Sequence, residues 1–127
     1  MRVLVVDDSP AVRRRIAALL REVAGVVDVD EASDAAAALA MAEARMPGLV
    51  VLDLHLGGPG GLDVLASFKR LPHAPPVAVL TNDASDTHRR ECLAKGADYF
   101  FDKSKEFEDV VHLAREMGSR RCEPQAR

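Results

Sequence analysis

The sequence predicts a doubly wound α/β fold, with five parallel strands alternating with five helices in a three-layer α/β/α sandwich. Three observations carry that expectation. Short apolar runs alternate with segments of helical periodicity along the chain. The runs at 49–52 and 77–80 are apolar without interruption, as expected of strands covered on both faces. The junctions between runs carry capping and turn residues, and the alternation itself implies right-handed crossover helices between parallel strands.

The first strand is Arg2 to Val6, a β-branched run ending in Asp7-Asp8. Ser9 is placed to cap a helix whose first residue is Pro10, because proline has no N–H to lose in the first turn. Val12, Ile16, Leu19, Leu20 and Val23 then recur at helical spacing, so this helix should reach about Val23. A weaker strand is expected from Val26 to about Asp30. Ser33 or Asp34 opens an alanine-rich helix that Pro47-Gly48 ends, with Ala35, Ala38, Leu39, Ala42 and Met46 as its inward face. The small side chains of that face allow a close approach to a sheet.

Leu49 to Leu52 is the third strand, with Asp53 at its carboxyl end. The glycine-rich stretch Gly57 to Gly61 precedes a helix from about Leu62 to Arg70, and its glycines are expected to supply positive-φ turns. Pro72, Pro75 and Pro76 mark the next connection. Val77 to Leu80 is the fourth strand, ending in Thr81-Asn82-Asp83, and a helix runs on from Ser85 or Asp86 to Lys95 with Gly96 just beyond it. Tyr99 to Phe101 is a short fifth strand running into Asp102-Lys103. The last helix is expected from about Ser104 to Met117, on an apolar set of Phe107, Val110, Val111 and Ala114. Residues 1–118 make one domain, and 119–127 read as a short, flexible basic tail.

Composition narrows the function. The chain has 127 residues, 48% apolar and 29% charged, a balance that folds and leaves room for one domain. Aromatics are 4%, so the core rests on Val, Leu and Ala, and base stacking is not a major recognition mode. The net charge of −3 argues against direct nucleic-acid binding. Two cysteines are too few for a disulfide scaffold. No apolar run approaches the roughly 20 residues of a membrane span, and the first is cut by two aspartates, so a cytoplasmic location is expected. His73, His88 and His112 lack metal-ligand spacing. The glycine-rich stretch has no Gly-Lys-Ser/Thr ending, and Arg13-Arg14-Arg15 reads as the solvated face of the first helix.

The chemistry lies in the polar residues at the strand ends. Asp7 and Asp8 come directly after the first strand, Asp53 after the third, Thr81 after the fourth and Lys103 after the fifth. In a parallel sheet these positions share the edge where such folds bind ligands. Taken singly, an acidic pair after a strand is usually a turn or a cap, and a surface lysine is usually solvated. Taken together, three carboxylates need a cation among them, and hard oxygen donors suit Mg²⁺. An ammonium and a hydroxyl beside them suit phosphoryl oxygens, and one carboxylate is available as a nucleophile.

These residues stand in motifs that resemble the receiver domain of two-component response regulators, over about residues 1–118. The motifs are Val-Leu-Val-Val-Asp-Asp-Ser-Pro at 3–10, Val-Val-Leu-Asp-Leu at 50–54, Leu-Thr at 80–81, Gly-Ala-Asp at 96–98 and Phe-Asp-Lys-Ser at 101–104. The resemblance implies a (βα)5 flavodoxin-like fold and a stand-alone regulator of the receiver type. It implies that Asp53 accepts a phosphoryl group from a histidine kinase or histidine phosphotransfer protein. Asp7, Asp8, Asp53 and the His55 carbonyl would hold Mg²⁺, with Mn²⁺ as a substitute. Lys103 and Thr81 would hold phosphoryl oxygens, and Thr81 with Phe100 would form the switch to a protein-binding surface on the fourth helix, fifth strand and fifth helix. Such a domain is a regulatory phosphoacceptor and not an enzyme, with slow self-phosphorylation from small donors and slow self-dephosphorylation. His55, Asn82 and Asp83 occupy positions that tune dephosphorylation.

Several residues depart from the family pattern. Phe100 stands where tyrosine is frequent, Ser104 where proline often comes after the lysine, and Gly57 where proline is usual. Asn82 is larger than the residue favoured after Thr81. The alternative reading is a non-catalytic receiver-fold module that binds a partner without phosphate. A phosphatase with an aspartyl-phosphate intermediate is disfavoured, because the first strand ends in adjacent acids and not in Asp-x-Asp.

Overall fold

The computed structural model of the chain describes residues 1–54, 61–82, 85–104 and 107–122. Its elements alternate as β1 (Arg2–Val6), α1 (Pro10–Arg21), β2 (Asp28–Ala32), α2 (Ala35–Arg45), β3 (Leu49–Leu52), α3 (Gly61–Lys69), β4 (Val77–Thr81), α4 (Asp86–Ala94), β5 (Tyr99–Asp102) and α5 (Phe107–Cys122). The five strands pair in parallel in the order β2-β1-β3-β4-β5. The alternation of strands and helices is therefore the predicted one, and β3 and β4 are buried along their whole length.

Two apolar layers flank the sheet. On one side Leu4, Val6, Val50, Leu52, Val77 and Val79 meet Ala38 and Ala42 of α2, Leu65 and Phe68 of α3, and Cys92 of α4. On the other, Val3, Val5, Leu49, Val51, Ala78 and Leu80 meet Ile16, Ala17 and Leu20 of α1 and Val110 and Ala114 of α5. Successive strand residues go to opposite layers, as the period of two requires. The caps work as expected: Ser9 Oγ accepts the Val12 N–H at 3.4 Å and Asp34 Oδ1 accepts the Ala37 N–H at 2.8 Å.

Several local expectations are corrected. The second strand lies two residues later than Val26–Asp30, because β1 fixes its register by pairing Arg2 with Asp28 and Val6 with Ala32. That register leaves Val27 exposed before the strand, its N–H bound to the Met1 carbonyl at 2.9 Å. As an edge strand, β2 carries acids in place of an apolar run, and Arg45 pairs with Asp28 and Asp30. Leu19 and Met46, expected on inward faces, are 36% and 59% exposed. Met46 lies past the last turn of α2 in a left-handed conformation (φ 45°), which swings it away from the helix face. The last helix begins at Phe107 and continues to Cys122, five residues past Met117; residues 123–127 lie outside the described ones.

The far end of α5 rests on the α1–β2 turn through two glycines. A Cβ built on Gly25 would stand 2.6 Å from the Gly118 carbonyl carbon, and Gly25 has φ +93°. Both features forbid a side chain there. Gly25→Ala should lower the free energy of unfolding by about 1–3 kcal/mol, read as a drop in the urea midpoint at an unchanged slope.

Candidate functional site

The ends of β1, β3 and β5 deliver their polar residues by continuing the sheet's hydrogen bonding for one step. The Asp7 N–H donates to the Ala32 carbonyl at 3.1 Å and the Asp53 N–H to the Val6 carbonyl at 2.9 Å. At the far side, the Lys103 N–H donates to the Thr81 carbonyl at 2.8 Å. Backbone pairing thus carries the order of the strands into the loops above them.

Asp7, Asp8 and Asp53 come together there, each offering a carboxylate oxygen within 4.8 Å of the others. Asp7 and Asp53 are only 1% and 5% exposed, whereas Asp8 faces solvent. Lys103 reaches over the end of β4 to both buried acids, with Nζ 2.9 Å from Asp7 Oδ2 and 3.2 Å from Asp53 Oδ2. Asp7 Oδ1 accepts the Ser9 N–H at 2.9 Å, which ties the acid to the first turn of α1. One ammonium facing three carboxylates leaves the pocket with a negative excess. Donor type and spacing fit a hard divalent cation.

Burial alone would draw the Lys103 ammonium toward deprotonation. The hydrogen bond to Asp7 and the charges of Asp53 and Asp7 outweigh it, and the pKa stands above the ordinary 10.5. Lys103 therefore stays charged at neutral pH.

Thr81 is fully buried at the end of β4, and Asn82 beside it is exposed. Parallel register sets Val79 against Phe100, so Thr81, two residues on, shares the sheet face of Phe100. That ring is buried beneath α4, with the His88 ring edge-on at 6.0 Å and the Arg89 guanidinium 4.7 Å from its centre. Tyr99 and Phe101 belong to the opposite layer and stack on each other. Ser104 uses what proline would lack: its N–H and Oγ bind Asp102 Oδ1 at 2.9 and 2.7 Å. His55, Asp83 and Gly57 to Gly60 lie outside the described residues. Gly61 is not in a positive-φ conformation; a Cβ there would stand 2.3 Å from the Leu54 carbonyl oxygen, so close approach and not turn geometry requires glycine.

Known proteins resemble this chain in sequence as well as in layout. The family described as the response regulator receiver domain matches residues 3–115. The chain belongs to that family. A transcriptional regulator of Pseudomonas aeruginosa is 35% identical over 90% of this receiver and 55% of its own length. The virulence-factor transcription regulator BvgA of Bordetella pertussis is 32% identical over 90% of the receiver and 54% of its own length. The receiver thus spans about half the length of these curated relatives. Among solved structures, a LuxR-family two-component response regulator from Aurantimonas sp. SI85-9A1 superposes with a TM-score of 0.83 at 27% identity, covering 93% of this chain and 84% of that one. The Mn²⁺-bound form of response regulator Rcp1 gives 0.72 at 26% identity, covering 93% and 91%. No helix among the described residues is long and apolar enough to cross a membrane.

Arg13 is the site residue that sequence reasoning misses. Its place in a run of three arginines reads as solvated, yet its side chain is only 13% exposed. Nε lies 3.2 Å from Glu31 Oε1, and Nη1 donates to the Asp7 carbonyl at 3.1 Å. The one local signal is its position one turn into α1, beside the carboxyl end of β2. That edge is recognisable only once β2 has its true register.

The Lys103 pairing has a measurable consequence. Lys103→Met leaves two buried carboxylates without their cation, at a cost on the order of 2–3 kcal/mol at pH 7, between the values for exposed and fully buried pairs. Because the folded pKa lies above the unfolded one, this contribution is complete below 10.5 and is lost as pH rises through the folded value. Chemical denaturation of wild type and variant across that range should show the gap closing at alkaline pH.

Proposed function

We propose that this receiver works in a phosphorelay, taking a phosphoryl group on Asp53 from a histidine kinase or a histidine phosphotransfer protein. The observation that carries the reading is the cluster of Asp7, Asp8 and Asp53 with Lys103 bonded to two of its members. An Asp53 oxygen attacks the phosphorus of a phosphohistidine. The O–P bond forms as the P–N bond breaks, and the imidazole keeps that electron pair and takes a proton from solvent.

Asp7, Asp8 and Asp53 would hold Mg²⁺ or Mn²⁺, with the His55 carbonyl as a further donor. When bound, the cation offsets charge that builds on the phosphoryl oxygens. The Mn²⁺-bound form of the similar regulator Rcp1 supports this assignment. Lys103, already charged and already turned toward Asp53, donates to one phosphoryl oxygen. Thr81 donates its hydroxyl to another and moves toward it. Its shared sheet face with Phe100 lets that motion reach the ring under α4, so that phosphorylation changes the surface formed by α4, β5 and α5. A downstream protein reads that surface. By their sequence positions Asn82, His55 and Asp83 would tune loss of the phosphoryl group, and residues 1–118 would form the working domain.

Incubation with acetyl phosphate and Mg²⁺ should add one phosphoryl group to the intact protein, seen by mass spectrometry. Asp53→Asn should abolish the addition completely. Equal labelling of that variant would remove Asp53 from the role. Cation binding with no phosphoryl uptake by wild type would favour an interaction module that works without phosphate.

A further inference from the structure

We propose that Arg13 is a positioning residue: it fixes the peptide that joins Asp7 to Asp8 and thereby sets where the Asp8 carboxylate stands. This inference rests on the divalent-cation site proposed above. It concerns how the site is held and not which residues ligate.

Asp7 is bound at every polar group it has. Its N–H goes to the Ala32 carbonyl, Oδ1 takes the Ser9 N–H, and Oδ2 takes Lys103. The remaining group is its carbonyl, which accepts Arg13 Nη1 at 3.1 Å. That carbonyl belongs to the Asp7–Asp8 peptide, a rigid plane whose orientation sets the starting direction of the Asp8 chain. Asp8 itself faces solvent, and Asp7 and Asp53 are buried. The exposed member of the cluster therefore depends most on its backbone for position.

Arg13 is suited to this because it is itself held. Its Nε lies 3.2 Å from Glu31 Oε1, and Arg21 Nη2 occupies Glu31 Oε2 at 3.2 Å. Glu31 is on β2 opposite Val5, one residue before Ala32, whose carbonyl receives the Asp7 N–H. The edge strand thus holds both peptides that flank Asp7, the one before it directly through Ala32 and the one after it indirectly through Glu31 and Arg13. A guanidinium fork reaches both targets at once, which a lysine ammonium on a single carbon does less well.

The sign of the effect separates positioning from charge. Arg13 is a cation close to a cation-binding pocket, so by charge alone its removal should tighten binding of a divalent ion. Positioning demands the reverse. Outer groups that orient metal ligands typically contribute tenfold or more to affinity. Mn²⁺ affinity, measured by the electron paramagnetic resonance signal of the free ion, should fall about tenfold in Arg13→Ala. It should also fall in Arg13→Lys, which keeps the charge, and to a smaller extent in Glu31→Gln, which keeps Arg13 but loosens it. Thermal unfolding in EDTA reports separately how far each variant is destabilised.

Unchanged or tighter Mn²⁺ binding in Arg13→Ala would overturn the inference, as would wild-type affinity in Arg13→Lys. If Arg13→Ala does not fold, Arg13→Lys and Glu31→Gln decide by the same criterion. Wild-type protein that binds no Mn²⁺ at millimolar concentration would overturn the cation site, and this inference with it. Binding by wild type with no loss in the variants would overturn this inference alone.

Discussion

Three carboxylates held within 4.8 Å of one another are the constraint on which the carboxyl edge of this sheet is organised. Like charges at that distance repel, and in a partly dry pocket they do so more strongly than in water. The fold meets this with Lys103, which crosses the end of β4 to bind the two acids that are largely shielded from solvent. Asp8, which has water, is the one Lys103 does not bond among the contacts described. The pocket keeps a negative excess all the same, and that excess suits it to a hard cation.

The same edge shows how a parallel sheet turns strand order into chemistry. Hydrogen bonds run one residue past β1 and β3 and tie the first loop residue to a neighbour, so Asp7 and Asp53 inherit the register of the strands below them. β4 separates the acids from β5 and ends in a small buried residue, Thr81. Below, the two apolar layers hold the helices in place, and Phe100 carries the packing from the sheet to α4. In the proposed phosphoacceptor role, chemistry at the edge and packing beneath α4 share one sheet face. A change in one therefore has a short mechanical route to the other.

Arg13 and β2 belong to a second tier of the site. The edge strand is acidic where an inner strand would be apolar, and those acids gather arginines from α1 and α2. One of these arginines closes on the Asp7 carbonyl. An element that contributes no carboxylate to the acidic cluster thus helps hold the loop that contributes two.

Sequence alone determined the alternation, the buried strands and the strand-end acids, because these depend on local patterns: apolar runs, capping residues and the polar residue that ends each run. Ser9, Asp34 and Ser85 cap where their chemistry places them. The position of β2 was not legible locally, since an edge strand lacks an apolar run and takes its register from its neighbour. Nor was the role of Arg13, whose two partners sit on β2 and on the loop after β1 and meet only when the sheet forms. Asp7 and Lys103 are 96 residues apart, and no periodicity measures the distance between them. Strand-end placement and family likeness together put them at one edge; only the tertiary structure decided which acids the ammonium reaches, because that depends on burial and on the path across β4.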